Sequence, residues 1–129
     1  MPEKLYPYFE EFIEDGKDNG ISTIFLDVCS RVDYIFIYVP RGIEDIGFYD
    51  QINKVIAIRP DAFYDSYMVR FVLYHEMGHA LGLEHSCDDC DDVMTSYISD
   101  KFIQKNKDKP RRWKRMTKRF WKKYKKLKG

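Results

Sequence analysis

The fold and the chemistry of this chain are decided by residues 75–85, which read HEMGHALGLEH. Written as a pattern, the stretch is H-E-x-x-H-x-x-G-x-x-H. On a helix, His75 and His79 lie one turn apart, so both imidazoles project from the same face and can bind one metal ion. Gly82 can adopt the left-handed conformation that ends a helix, and the turn that follows can return His85 as a third nitrogen ligand.

Three nitrogen ligands leave one coordination position open, which is the layout of a catalytic zinc site rather than a closed structural site. Glu76 follows the first ligand, where its carboxylate can reach a zinc-activated water without binding the metal. The pattern therefore predicts one catalytic Zn²⁺ on His75, His79 and His85, with Glu76 as the general base. The alternative, a buried helix with ordinary core histidines, does not account for the spacing through Gly82 to the third histidine.

These residues resemble the signature of the metzincin clan of zinc peptidases. In that clan the long motif ends in a third histidine and is followed by a turn that contains a methionine. Met94, within residues 93–97 (VMTSY), matches this methionine, which in the clan lies beneath the metal as a hydrophobic floor. The residue after the third histidine is Ser86, as in the matrixin branch, so that branch is the nearest match. The resemblance implies a zinc-dependent endopeptidase that acts on peptide or protein substrates.

The resemblance also implies where a substrate lies. In metzincins the run before the last strand forms the sheet edge above the cleft, and an exposed edge can pair with a peptide as an added strand. Here that run comprises Ile46, Gly47, Phe48 and Tyr49. A covered edge or a loop is the alternative. Tyr97 stands one residue further from Met94 than the zinc-approaching tyrosine of some branches, so we interpret it as a wall of the specificity pocket rather than a transition-state contact.

Length and composition predict one globular domain, since the chain has 129 residues, of which 44% are hydrophobic and 16% aromatic. The sequence shows neither the pattern of a signal peptide nor an apolar run long enough to span a bilayer. Its three cysteines, an odd number, do not describe a secreted disulfide framework. These features favour an intracellular setting and leave open export by a route without a cleavable signal.

The net charge of +1 conceals two opposite parts. Residues 1–100 hold seven Lys and Arg against 20 Asp and Glu, a charge of −13, whereas residues 101–129 hold 15 against one, a charge of +14. We therefore predict a catalytic domain over residues 1–108 and a basic tail over residues 109–129. Apolar residues recur in the tail at spacings of three and four, which predicts an amphipathic helix. They are Trp113, Met116, Phe120, Tyr124 and Leu127.

Three roles remain open for the tail: contact with nucleic acid, binding to an anionic membrane surface, or packing of its apolar stripe on the acidic body. The first gives an alternative function, a nucleic-acid-associated protein whose tail directs the protease to bound proteins. The third has a corollary, that a tail lying across the cleft would hold the enzyme latent. A zinc-stabilised binding module without turnover is a further alternative, against which Glu76 argues.

The pattern of elements predicts an α+β fold of the zincin or metzincin type. We expect a small twisted mixed β-sheet with an N-terminal helix over residues 7–15, an active-site helix capped by Asp65 or Ser66, and a C-terminal helix. Runs of β-branched and aromatic residues predict strands over residues 21–28, 32–39 and 54–58, the first two joined as a hairpin at residues 29–31. Because the clan places a strand before its first helix, this sheet is expected to be one strand short.

The segment between His85 and Met94 departs from the matrixin pattern. Cys87 and Cys90 leave open half of a metal site, a redox pair, a disulfide or free thiols. No second C-x-x-C completes a four-cysteine site, so no structural zinc is predicted. The surrounding aspartates fit no calcium-loop spacing, so no calcium is predicted and we interpret them as a solvated acidic loop. They are Asp88, Asp89, Asp91 and Asp92.

Overall fold

The computed structural model describes residues 1–38 and 46–129. In this part of the chain the predicted α+β class is confirmed, because α-helices are combined with a small three-stranded mixed sheet. No helix in the same residues is both long enough and apolar enough to cross a bilayer. In chain order the elements are α1 (Tyr6–Asp18), α2 (Ile24–Arg31), β1 (Tyr34–Ile37), β2 (Gly47–Asp50), β3 (Val55–Ile58), α3 (Ser66–Ala80), α4 (Asp100–Asn106) and α5 (Pro110–Lys128).

The sheet has the strand order β1-β3-β2, with β1 parallel and β2 antiparallel to the central β3. The predicted strands over residues 32–39 and 54–58 contain β1 and β3, although Val39 lies outside the described residues. A turn closed by Asp50, whose carboxylate accepts the backbone N–H groups of Ile52 and Asn53, joins β2 to β3. Among the described strands β2 therefore occupies one edge of the sheet.

The prediction of a strand over residues 21–28 is wrong, and so is the hairpin, because most of this run lies in α2 and residues 29–31 end that helix. Ile21, Ile24 and Val28 are spaced by three and four residues and form one buried face. Phe25 and Leu26, which a two-sided buried strand would have to cover, are 51% and 68% exposed. The helical period thus prevailed over the β-branched composition.

The core is centred on aromatic side chains that come from the two ends of the chain and from α3. The ring of Phe12 in α1 lies 4.8 Å from the ring of Tyr74 in α3 and 4.8 Å from that of Trp121 in α5. The Tyr74 hydroxyl donates to Asp15 at 2.5 Å and accepts from the Trp121 indole at 3.2 Å. Burial raises the pKa of Tyr74 and of Asp15. These contacts join α1, α3 and α5 around one polar network.

The tail packs on its own acidic body, which is the third of the roles left open by the sequence. Its apolar stripe is buried from Met116 to Tyr124, with Phe120 and Trp121 fully covered, whereas Leu127 at its end is exposed. The flanks of α5 form ion pairs with the body: Lys123 with Asp92 at 2.9 Å, Lys128 with Asp27 at 2.7 Å, and Arg112 with Asp91 at 3.9 Å. The division at residue 108 into two domains stays a prediction.

Acid should loosen this attachment, because the pKa values of two body carboxylates are lowered by tail and α4 contacts. Hydrogen bonds from Asn106 and Lys105 lower the pKa of Asp91. Burial alone would raise the pKa of Asp27, but hydrogen bonds led by that of Lys128 lower it overall. A carboxylate whose pKa in the folded chain lies below the ordinary 3.8 stabilises the fold at pH values above 3.8. This stabilisation is lost as the pH falls through the folded-state pKa.

We therefore expect the melting temperature to fall as the pH drops from about 5 to below 3.8. Asp91→Asn should be less stable than the wild type at the higher pH, and the gap should close on acidification because the variant has no carboxylate to protonate. Thermal melts followed by circular dichroism at several pH values measure both curves. A gap that stays constant with pH would contradict the assigned role of this carboxylate.

Candidate active site

Helix α3 carries the first two histidines of the motif, and its ends follow from the sequence as predicted. Asp65 caps the start by accepting the backbone N–H of Tyr67 at 2.9 Å. The helix ends at Ala80, and Gly82 adopts the left-handed φ of +99° that a residue with a Cβ rarely tolerates. The N–H of Leu83 then donates to the carbonyl of Gly78 at 2.8 Å, which closes the turn and directs the chain back along the helix.

The turn brings the third histidine to the other two. The Nε2 atom of His85 lies 3.2 Å from Nε2 of His75 and 3.1 Å from Nε2 of His79. Two nitrogens bound to one tetrahedral zinc at about 2.0–2.1 Å would be separated by about 3.3 Å. Both separations from His85 are therefore close to that value, and all three ligand atoms lie within 4.8 Å of one another.

The contacts of Nδ1 in His75 and His79 indicate that Nε2 is the ring nitrogen that faces the shared centre of the three histidines. Nδ1 of His75 lies 2.8 Å from the carbonyl oxygen of Val93, and Nδ1 of His79 lies 3.0 Å from that of Leu83. Because a carbonyl can only accept, each Nδ1 carries the proton and each Nε2 presents a lone pair. Burial, with a smaller contribution from His85, lowers the pKa of His79, which favours the neutral ligand form. Lone pairs that converge at this distance fit a cation between them.

Glu76 lies beside these ligands, is only 6% exposed and lines the same cleft as His75 and His79. The edge strand β2 approaches it closely at Gly47. A Cβ at that position would lie 2.6 Å from Cγ1 of Val72 and 3.4 Å from Cγ of Glu76. A side chain at Gly47 would thus push the edge strand away from α3, so the missing Cβ is what allows the strand to border the site.

The cleft has a volume of about 620 Å³ and brings together the predicted substrate-contact residues. Tyr97, which is 62% exposed, belongs to the segment that borders the cleft beyond the methionine turn. The hydroxyl of Tyr49 donates to the carbonyl of Arg31 at 2.8 Å, so this side chain also ties the edge strand to α2. Among the described residues, none of those lining the cleft comes from the tail. The lining residues from the edge strand and its approach are Ile46, Gly47, Phe48 and Tyr49.

Met94 is fully buried beneath the active-site helix. Gly78 makes room for it, because a Cβ there would lie 2.5 Å from the Met94 sulfur and 2.9 Å from Cε2 of Phe120. The backbone N–H of Ser86 donates to the carbonyl of Met94 at 3.0 Å, which ties the segment after the third histidine to the turn. The methionine therefore packs against the histidine-bearing helix at Gly78, where Phe120 of the tail helix also approaches.

The interpretation of the aspartates as a solvated loop is wrong for Asp92, which is 8% exposed. Its carboxylate accepts the backbone N–H of Met94 at 2.8 Å and pairs with Lys123. The other three aspartates accept hydrogen bonds from Ser96, Ser99 and Asn106, respectively. In a turn, an Asp side chain often accepts the backbone N–H of the residue two positions further on. The spacing from Asp92 to Met94 was therefore a sequence signal for this hydrogen bond.

The two cysteines of this segment, Cys87 and Cys90, form a disulfide, whereas Cys29 is free and exposed. Of the alternatives that the spacing left open, the structure contains the disulfide. It lies within the loop that connects His85 to Met94, where Cys87 also forms an isolated bridge with Thr95. The loop is thus closed both by the disulfide and by main-chain pairing.

Asp92→Ala should lower the free energy of unfolding by about 1–3 kcal/mol, because it leaves the buried N–H of Met94 without its acceptor. We also expect weaker zinc binding, since the turn supports the segment that carries His85. Asp92→Asn retains the side-chain oxygen but removes the charge opposite Lys123, so it should lose less stability. Urea unfolding and zinc competition with a chromogenic chelator measure the two effects. Equal losses in both variants would show that the charge, rather than the cap, matters.

The chain matches the sequence model of a known family. The sequence model of the family described as Matrixin matches residues 17–112, well over half of the chain. This range begins near the end of α1, includes α3 with all three histidines and the methionine turn, and ends within the first residues of α5. No curated protein and no solved structure matches the chain significantly.

Proposed function

Since the chain belongs to the matrixin family, we propose that it is a zinc-dependent endopeptidase that hydrolyses peptide bonds in peptide or protein substrates. One observation carries the proposal. Three imidazole Nε2 atoms meet at separations of 3.1 and 3.2 Å from the shared His85 in an open cleft, next to the buried carboxylate of Glu76.

The metal ligands and Glu76 have separate roles in the proposed hydrolysis. Zinc held by His75, His79 and His85 would supply Lewis-acid chemistry, which lowers the pKa of the attacking water towards neutrality and polarises the scissile carbonyl. The Glu76 carboxylate takes a proton from the attacking water and later delivers it to the leaving amine. The carbonyls of Val93 and Leu83 hold two of the rings in the tautomer that a metal ligand requires.

The edge strand is the proposed place for the substrate main chain. Within the described residues, β2 pairs with β3 on one side only, so its other edge offers N–H and C=O groups to an added strand. The close approach at Gly47 sets this edge directly beside Glu76. Tyr97, which lines the same cleft, is then a wall of the pocket for a substrate side chain.

Metal analysis combined with a cleavage assay tests the function. The full chain, loaded with zinc, should bind about one ion and cleave an internally quenched peptide or casein. A strong chelator should abolish cleavage, and returned zinc should restore it. Activity that persists in metal-free protein would refute the proposal. Stoichiometric zinc without turnover on any tested substrate would instead favour the non-catalytic binding module.

A further inference from the structure

The outward face of α5 carries a continuous row of cations, here called the basic ridge. Viewed along the helix axis, at 100° per residue, the positions of these cations fall within an arc of about 120°. This arc lies opposite the buried stripe that contains Phe120. Each of the side chains is exposed. The basic ridge consists of Arg111, Lys114, Arg115, Lys118, Lys122, Lys125 and Lys126.

The positive charge of the basic ridge is not compensated within the described part of the chain. The ion pairs of α5 involve Arg112, Lys123 and Lys128, which flank the ridge and face the acidic body. No residue of the ridge forms an ion pair with any described residue. The helix itself contains no Asp or Glu. Neighbouring cations at spacings of three and four repel each other, and a bound polyanion would relieve that repulsion.

We propose that the basic ridge binds the phosphate backbone of double-stranded nucleic acid without regard to base sequence. The ridge extends over about 22 Å, at 1.5 Å per residue, along a helix that the core holds in place. A duplex presents about one phosphate charge per 1.7 Å of its axis, so several lysines and arginines can meet phosphates at once. Helix α5 begins at Pro110, and the residues at both ends of the basic ridge are exposed.

Two other partners fit the observations less well. A membrane-surface helix inserts its apolar face, but here Phe120 and Trp121 are fully covered by the body. Single-stranded nucleic acid is bound largely by stacking of bases on aromatic rings. The aromatic residues of α5 pack inward against Tyr67, Tyr74 and Phe12, so the ridge offers charge and no stacking surface.

The basic ridge and the cleft lie on separate surfaces, so binding to one leaves the other open. In the described residues the cleft is lined by β2, α3 and the segment beyond Met94, with no contribution from α5. The inward face of α5 packs on α3 at Gly78. The inference depends on the charge pattern of α5 and not on whether the chain has peptidase activity.

Anisotropy of a labelled DNA duplex of about 20 base pairs, titrated with the full chain at several KCl concentrations, tests the proposal. A ridge variant and a control variant each lose three positive charges. The ridge variant carries Arg115→Gln, Lys118→Gln and Lys122→Gln. The control carries Lys17→Gln, Lys54→Gln and Lys101→Gln, all outside α5 and exposed.

We expect the ridge variant to bind the duplex at least about tenfold more weakly than the wild type. The slope of log K against log [KCl] should become less steep, with its magnitude smaller by about two to three. The control should stay within about twofold of the wild type. Both variants should keep the wild-type melting temperature, and Lys118→Gln alone serves if the triple variant does not fold. Absence of duplex binding at low salt, equal losses in ridge and control variants, or tighter binding to phosphatidylserine vesicles than to the duplex would overturn the proposal.

Discussion

Replacing Glu76 with alanine will lower kcat/KM for peptide cleavage by about 10²- to 10⁴-fold while zinc remains bound. The carboxylate lies in the cleft beside His75 and His79 but is not one of the three converging ligands. Its removal therefore takes away the proton acceptor for the attacking water and leaves the metal site intact. Initial rates on an internally quenched peptide and zinc content by mass spectrometry measure the two halves of this expectation.

Three further variants isolate the cause of the loss. Glu76→Gln keeps the shape of the side chain but cannot accept a proton, so it should lose activity to a similar degree. Glu84→Ala makes the same chemical change at an exposed position next to the third ligand and should be nearly silent. His79→Ala should lose zinc as well as activity, with a lower melting temperature, because metal binding and folding are coupled. Near-normal cleavage by Glu76→Ala would disprove the role of this residue.

Deletion of residues 109–129 is expected to abolish cooperative folding. Phe120 and Trp121 are 0% exposed and pack against α1 and α3. Truncation of a buried aromatic to alanine costs about 3–5 kcal/mol, and a domain is stable by only about 5–15 kcal/mol. The loss of both rings together with Met116 and Tyr124 thus approaches or exceeds the whole stability of the fold.

This expectation opposes the latency hypothesis, under which removal of the tail would raise turnover. The tail lines no part of the cleft that the structure describes, so its deletion uncovers core and not active site. Thermal melts and near-ultraviolet circular dichroism distinguish the outcomes. Leu127→Ala is a mild control, because this side chain is 56% exposed. If residues 1–108 melted cooperatively at the wild-type temperature, the predicted boundary at residue 108 would mark a true domain edge.

Local spacing explains why much of the active-site region is predictable. The helix period places His75 and His79 on one face, and the glycine at position 82 marks the turn, so a stretch of eleven residues contains most of the geometry. The cap at Asp65 and the strands that contain Ile35 and Ile56 follow in the same way from nearby residues. In all these cases the interactions that decide the conformation lie within a few positions of each other.

The error at α2 shows the limit of local reasoning. Ile21, Ile24 and Val28 have side chains that suit a strand as well as a helix. The choice between strand and helix depends on which of these side chains α1 and α3 cover. That coverage depends on residues far along the chain. Phe25 and Leu26 add to the ambiguity, because they are apolar yet exposed.

The sequence by itself predicted three metal ligands, a general base and the helix that carries His75 and His79, because a metal site of this kind is built from residues at short fixed spacings. Only the tertiary structure decided that Val93 orients His75, that Asp92 pairs with Lys123 of the tail, and that the tail completes the core. Each of these depends on groups that are distant in sequence. Their meeting is set by the burial of apolar surface over the whole chain, which no local pattern encodes.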